Sequence, residues 1–425
     1  DLSGVGKWQT ESQRIKEQAV VLVFDFLFMC RSGVMSQLFF MVCALLVCGN
    51  VQVGAQENEG EEARPFVKGG FYDKPHLFKL ASGKVNVGGY AEAHFRFEKE
   101  DGIVEERTFV PKRFNLFFHS FVSERFSMAA ELEFEEGTEE ILLELAILDF
   151  ELHPAVTFRG GMLLSPLGKF NLAHDSPSNK MTDRPLVSTQ IIPTALSEPG
   201  AGFFGAFYPS ANMRMTYELY AVNGFDSDVV EESDAGTRIA EGRHNIEDNN
   251  NSPAFTGRFG IGPTARSDFG FSFHHGQYNK TFLEDISIDE ARHVTLWALD
   301  GEYSWHRFAV LGEYASASVD LPPGLAGSIY ASKQQGFYLQ GSVSFLQNAL
   351  AHIPNSYFEG VVRYDWVDLD TDLTGDHHTR LTLGVNFRPS PDSVFKFNYL
   401  YNWSRDRNNV EALGAGVLCS VATYF

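Results

Sequence analysis

Several groupings of side chains in this chain have the types and spacing to do chemistry. His174 and Asp175 set an imidazole beside a carboxylate, the pairing used in general acid–base work. Nothing around them completes a reaction centre. The chain contains no G-x-S-x-G nucleophile turn and no H-E-x-x-H zinc helix. His274-His275 and His377-His378 offer metal-ligating nitrogens. Adjacent residues of a strand face opposite ways, so neither pair can ligate from one face. The acidic stretches DSDVVEESD (226–234) and EGRHNIEDNNN (241–251) lack the spacing of an EF-hand loop and read as a solvated surface loop. No catalytic residue, metal or cofactor is expected, and the chain reads as a non-enzyme.

The remaining concentration of charge lies in LLSPLGKFNLAHDSPSNKMTDRPLVSTQIIPTALSEPGAGFFG, Leu163 to Gly205. A structureless stretch this long is either functional or disordered. Its composition argues for order: Leu167, Phe170, Leu172, Leu186, Ile191, Ile192 and Leu196 need to be packed. Prolines at 166, 177, 185, 193 and 199 stiffen it. What it packs against depends on the elements around it.

Those elements alternate. In VNVGGYAEAHFRF, residues 85–97, Val85, Val87, Ala91, Ala93, Phe95 and Phe97 share one face. Asn86, Tyr90, Glu92, His94 and Arg96 share the other. The same period of two runs through FSMAAELEFEE, DFGFSFHHG, GFYLQGSVSF and VFKFNYLYNW. Strands are expected near 84–97, 110–123, 126–136, 139–152, 155–164, 202–208, 213–223, 254–262, 268–278, 293–305, 308–318, 336–346, 358–368, 378–388, 393–404 and 412–425. Most approach the ~9–11 residues of a tilted membrane-crossing strand. Connections alternate between short turns and longer, charged segments around 98–109, 165–201, 224–253, 279–292, 319–335, 369–377 and 405–411. Only 136–140 is a brief member of the second set. Long loops at one end and short turns at the other is the pattern of an outer-membrane barrel with periplasmic turns. Trp305, Trp366, Trp403, Tyr399 and Tyr401 sit where interfacial girdles would lie. A soluble sandwich would alternate too, and alternation alone does not say which face is outside.

Composition agrees. The chain has 425 residues, a net charge of -21, 14% aromatic residues and 38 Phe. Acidic disordered chains are poor in aromatics, and no basic stripe invites a nucleic acid. Residues 1–55 read as an over-extended start followed by a secretory signal peptide. Its beginning falls at Met29 or Met35, its apolar run at Leu38–Val47 and its small-residue cleavage site at Val53-Gly54-Ala55. Residues 56–83 then form an acidic periplasmic segment, too short for a plug, and 84–425 the barrel. The last strand, GVLCSVATYF, pairs with the first to remove the sheet edge, and a terminal Phe425 on such a strand resembles the C-terminal signature of bacterial outer-membrane proteins, which implies a barrel-assembly signal.

The run GKFN, HD, TDRPLVST, IIPT and SEPGAGFFG within 168–205 resembles the corresponding loop of the phosphate-selective porin O and P superfamily. The likeness extends more loosely from about Gly88 to Phe425. It implies an all-β, sixteen-stranded transmembrane antiparallel barrel, a homotrimer, whose long third loop folds into the lumen. Carried over, the constriction holds Lys169, Asp175, Lys180, Asp183, Arg184 and Glu198. The pore-lining wall carries Arg159, Arg214, Glu218, Arg258, Arg363, Arg380 and Lys396. The same face also carries Glu92, Glu131, Glu133, Glu135, Glu144, Asp300, Glu302, Glu313, Glu359 and Asp365, so acids outnumber bases. Each wall arginine is either a selectivity element or the partner of a cross-strand carboxylate. The function implied is passive diffusion of small hydrophilic solutes or ions, with anions such as phosphate the family's cargo. Outer-membrane lipid and the barrel-assembly machinery are the partners. The alternatives are a non-conducting barrel serving as adhesin or anchor, and a barrel enzyme.

Overall fold

The protein is described by a computed structural model over residues 70–74, 85–137, 139–231, 236–283, 286–325, 329–348, 350 and 352–425. The signal-peptide reading of 1–55 lies outside these residues.

Sixteen antiparallel strands form one closed barrel, each pairing with its neighbours in chain order. They are β1 (Val85–Glu100), β2 (Ile103–Ser123), β3 (Phe126–Glu135), β4 (Glu140–His153), β5 (Val156–Leu164), β6 (Ser197–Ser210), β7 (Met213–Val222), β8 (Ala254–Thr264) and β9 (Ser267–Gln277). A two-stranded flap, β10 (Phe282–Leu283) and β11 (Ile286–Ser287), stands apart from the barrel. The circuit resumes with β12 (His293–Trp305), β13 (Phe308–Val319), β14 (Lys333–Phe345), β15 (Tyr357–Asp368), β16 (His377–Ser390), β17 (Ser393–Arg405) and β18 (Glu411–Tyr424).

Closure is made by β1 on β18, with Tyr90 opposite Tyr424 and Glu100 opposite Gly414. Phe425 continues the ladder: its N–H donates to the Gly89 carbonyl at 3.0 Å and its carbonyl accepts from the Gly89 N–H at 3.2 Å. Among the described residues, the barrel therefore has no open strand edge.

The pattern is inverted relative to a soluble protein. Along β1, Asn86, Glu92 and His94 are buried while Val85 and Val87 are exposed. Around the wall, Phe114, Met128, Leu148, Phe158, Phe259, Phe271, Leu299, Leu339, Leu383 and Phe397 are exposed. Glu131, Asp149, Arg258, Asp300, Arg363 and Asn398 are buried. The apolar face is therefore outside, as lipid requires. At the turn end, Phe345, Phe358, Phe387 and Phe395 form a chain of ring contacts with centroids 5.0 to 6.2 Å apart. Trp305 lies at this end, next to the reversal at His306; Trp403 and Tyr401 pack edge to face nearer the loop end.

The segment 98–109, expected as a loop, is strand. β1 and β2 run on to a two-residue turn, Asp101-Gly102, both with positive φ, the geometry that suits a strand twist. At 16 and 21 residues these strands outreach a bilayer.

Candidate functional site: the lumen and its infolded loop

Residues 165–196 fold into the barrel. Two one-turn helices, Lys169–Leu172 and Val187–Gln190, are its only regular elements. Leu167, Leu186, Val187, Ile191, Ile192 and Leu196 are almost wholly buried. They pack on an apolar patch of the inner wall made by Val294, Leu296 and Ala298 of β12, Ala315 and Ala317 of β13, Tyr338 of β14 and Val367 of β15. Phe225, Val229 and Ile239, from the connection after β7, join the same cluster.

Polar clamps hold the rest of the loop. Asp183 accepts from Arg96 Nη1 at 2.7 Å and from Arg380 Nη1 at 3.3 Å. Burial raises its pKa and these guanidiniums lower it; the guanidiniums win, so the carboxyl sits below its ordinary range. Arg363 donates to the carbonyls of Asp183 and Arg184 at 2.9 and 3.2 Å, and to Asp365 at 2.8 Å. Lys396 donates to the carbonyls of Ser176 and Met181 at 2.8 and 3.2 Å. Lys180 meets Glu359 at 2.5 Å and Ser342 at 2.7 Å. Lys169 meets Glu302 at 2.7 Å and Asp268 at 3.5 Å. Arg184 donates to the Thr194 carbonyl at 2.7 Å; burial, then the neighbouring Arg113 charge, lowers its pKa.

Asp175 binds Lys74 at 2.9 Å and Tyr424 Oη at 2.9 Å. Lys74 also meets Glu131 at 2.8 Å and lies over the Phe117 ring. Burial lowers the Lys74 pKa, but Asp175 and Glu131 outweigh it and hold the ammonium well above its usual range. Burial pushes the His174 imidazole down to about 4, with Arg184 adding to the effect. The segment before the barrel thus tethers the third loop, a link no local pattern could announce.

Gly168 shows how tightly the loop is fitted. Its φ is +72° and a Cβ there would stand 2.8 Å from the Glu313 carboxyl. That carboxyl accepts from the Phe170 N–H at 3.0 Å and the Ser188 hydroxyl at 3.2 Å, joining both short helices to β13.

Five of the six constriction residues named from sequence lie in this loop. Glu198 does not. β6 begins at Ser197, because Leu163↔Glu198 and Leu164↔Ser197 extend the β5 ladder, so Glu198 is a wall residue, 2.9 Å from His274 Nε2. The wall residues all face inward, in two roles. Arg159 meets Asp149 at 2.8 Å, Arg214 meets Asp268 at 3.1 Å, and Arg258 meets Asp300 at 2.6 Å. Glu218 accepts from Tyr220 Oη at 3.0 Å. Arg363, Arg380 and Lys396 instead hold the loop. Sequence reasoning passed over Arg96, Arg113 and Arg388, although Arg96 shares the face of Glu92 and His94. Arg113 meets Glu133 at 2.7 Å and Glu135 at 2.6 Å. A cavity of about 350 Å³ remains beside the loop, lined by Lys169, Lys180, Glu302, Tyr338, Gln340 and Arg388 among others.

No family model matches the chain. An uncharacterized protein of Aquifex aeolicus is 26% identical over 376 residues, 80% of each chain. Among solved structures, the anion-selective porin of Comamonas acidovorans superposes with a TM-score of 0.51, at 11% identity, over 80% of this chain and 99% of its own. OmpT, an outer membrane protein of Vibrio cholerae solved in its trimer form, gives 0.50, at 11% identity, over 81% of this chain and 100% of its own. These identities speak to fold alone. With its apolar exterior and polar interior, the chain is a porin-like β-barrel of the bacterial outer membrane.

Proposed function

We propose that the protein is a porin: a passive path for small hydrophilic solutes and ions, narrowed by the infolded 165–196 loop. The observation that carries this reading is the loop itself, charged, folded and clamped across a polar lumen. The trimeric form of the Vibrio cholerae neighbour supports a homotrimer, and the place of Phe425 in the closing ladder supports its role as assembly signal.

The resemblance to phosphate-selective porins supports an anion path. Lys169, Lys180 and Arg388, around the cavity, are the cations available to it. Each lies near a wall carboxylate: Glu302 for Lys169 and Glu359 for both Lys180 and Arg388, the last at 3.9 Å. An anion must compete with these carboxylates, so selectivity is weak. Lys169, Asp175, Lys180, Asp183 and Arg184 make up the constriction in this reading. Glu198 and the other wall residues set the field around it.

The test is a planar-bilayer recording of the purified protein under a salt gradient. Discrete steps with a small reversal potential are expected. Replacing Lys169, Lys180 and Arg184 together by Gln should shift that potential toward cations. A strong anion preference in the wild type would restore the phosphate-selective reading, and a potential unchanged by the triple variant would remove these residues from the constriction. Folded barrels without steps would favour the non-conducting anchor.

A further inference from the structure

Glu133, Glu144 and His174 bring two carboxylates and an imidazole together inside the lumen, with ligand atoms all within 4.8 Å of one another. All three residues are at least nine-tenths buried. His174 Nδ1 lies 2.8 Å from the Asn171 carbonyl, which can only accept, so Nδ1 carries the proton. Its Nε2 then presents a lone pair to Glu144 Oε1, 2.8 Å away. Two acceptors face each other. Neither Glu144 oxygen has a hydrogen-bond donor, and neither does Nε2. Buried acceptors left this way are costly, and a cation between them removes the cost.

The backbone aims Glu144 at this spot. The β3–β4 ladder passes from Glu131↔Leu145 to Leu132↔Leu143, leaving Glu144 as the extra residue of a bulge. Glu144 and Leu145 are consequently both buried, although neighbours on a regular strand would face opposite ways. Bulges re-aim side chains in this manner next to functional sites. The Ser197 hydroxyl donates to the Glu144 carbonyl at 2.6 Å. Glu133 is held by Arg113 Nε at 2.7 Å. The Nδ1–H to carbonyl bond is the outer-shell contact that metal-ligating histidines use to fix their tautomer.

We infer that Glu133, Glu144 and His174 form a binding site for a divalent first-row transition ion, which ties the third loop to β3 and β4. One nitrogen and two carboxylates suit zinc or manganese better than calcium or magnesium. Ligand bonds of about 2.05 Å put cis donors about 2.9 Å apart at 90° and about 3.3 Å apart in a tetrahedron. The 2.8 Å contact between His174 and Glu144 fits the former, so five or six ligands are expected, with water completing the set. Arg113, Arg184 and Lys74 are the positive neighbours the ion must tolerate.

The test uses the full protein purified from membranes, stripped with chelator and dialysed against buffered Zn²⁺ or Mn²⁺. Metal is counted by mass spectrometry. Wild type should retain about one ion per chain. Glu144→Gln and His174→Gln should each weaken binding at least about tenfold, in barrels that still migrate as folded species on unheated gels. Replacing His275 and His293, the stacked pair on the outer wall, should leave the count unchanged. X-ray absorption on the zinc-loaded wild type should show one imidazole among oxygen ligands, and this holds the question open even if both variants misfold. Retention of far less than one ion by wild type, equal binding by the variants, or a spectrum without imidazole would overturn the site. The His174–Glu144 contact would then be a shared proton.

Discussion

Ile191 and Ile192 are fully buried, and both face the apolar patch of β12–β15. Truncating a buried Ile to Ala costs about 2–5 kcal/mol. Ile191→Ala with Ile192→Ala therefore weakens docking of this half of the loop by roughly 6 kcal/mol. At about 1.4 kcal/mol per decade, the population of undocked 186–196 should rise by about four orders of magnitude. The other half stays in place, because Asp183, Lys180 and the carbonyls held by Arg363 and Lys396 are untouched. The expected result is a widened lumen rather than an unfolded barrel. Single-channel recordings should show a larger main step and flicker between two levels. Leu383→Ala, on the lipid face, should change neither. Folded double-variant barrels with the wild-type step and no added noise would refute the idea that apolar docking sets the constriction.

Asp183→Asn should loosen the charged half instead. In the wild type, the Asp183 pKa lies below its unfolded value, so its contribution to stability is complete above about pH 4 and is lost as pH falls through the lower folded value. Wild-type conductance should be insensitive to this group from pH 7 to 5 and change only in stronger acid, while the Asn variant shows the altered trace at pH 7. Asp300→Asn strands the buried Arg258, whose Nε and Nη2 lie 3.2 and 2.6 Å from Asp300. A loss of about 3–5 kcal/mol should appear as a lower urea midpoint for the folded gel species, and an unchanged midpoint would show that water or Asp268 takes over. Deleting Phe425 removes the two bonds to Gly89 and the stacking on Phe114 at 5.7 Å. Less folded barrel should reach the outer membrane, and wild-type yield would deny Phe425 its assembly role.

The barrel was legible in the sequence because its rule is local. A period of two, broken by turns, places sixteen strands within a few residues, and Glu92, Arg258 and Asp365 fall on the inner face as that rule requires. It failed where both faces of a strand share one character. Ile103 to Phe109 has charge on alternating sides, since β1 and β2 outreach the membrane there, and it read as loop. VTLWAL in β12 is apolar on both faces because Leu296 and Ala298 turn inward to receive Ile191 and Ile192. The run itself was the signal for where the loop's apolar residues dock. Lys74 meets Glu131 from 57 positions away, and no spacing rule reaches that far. Glu144 falls on the inner face as expected, but the bulge that buries Leu145 beside it carries no local signal.

The arginines show why selectivity is not legible from charge counts. A pore's field comes from charges that lack a near partner; a pair about 3 Å apart is nearly cancelled over the ~8 Å Debye length of physiological salt. Arg159, Arg214 and Arg258 are spent on cross-strand carboxylates, and Arg363, Arg380 and Lys396 on the loop. The inner wall is thus rich in charge and poor in free charge. Glu313 is different: it accepts from an N–H and a hydroxyl, with no cation within ion-pair distance among the described residues. Buried on β13 and bonded to both short helices, it anchors the loop. An inner wall poor in free charge is a reason to expect a small reversal potential, and to expect it to move most when a partner such as Lys169 or Lys180 is removed and Glu302 or Glu359 is set free.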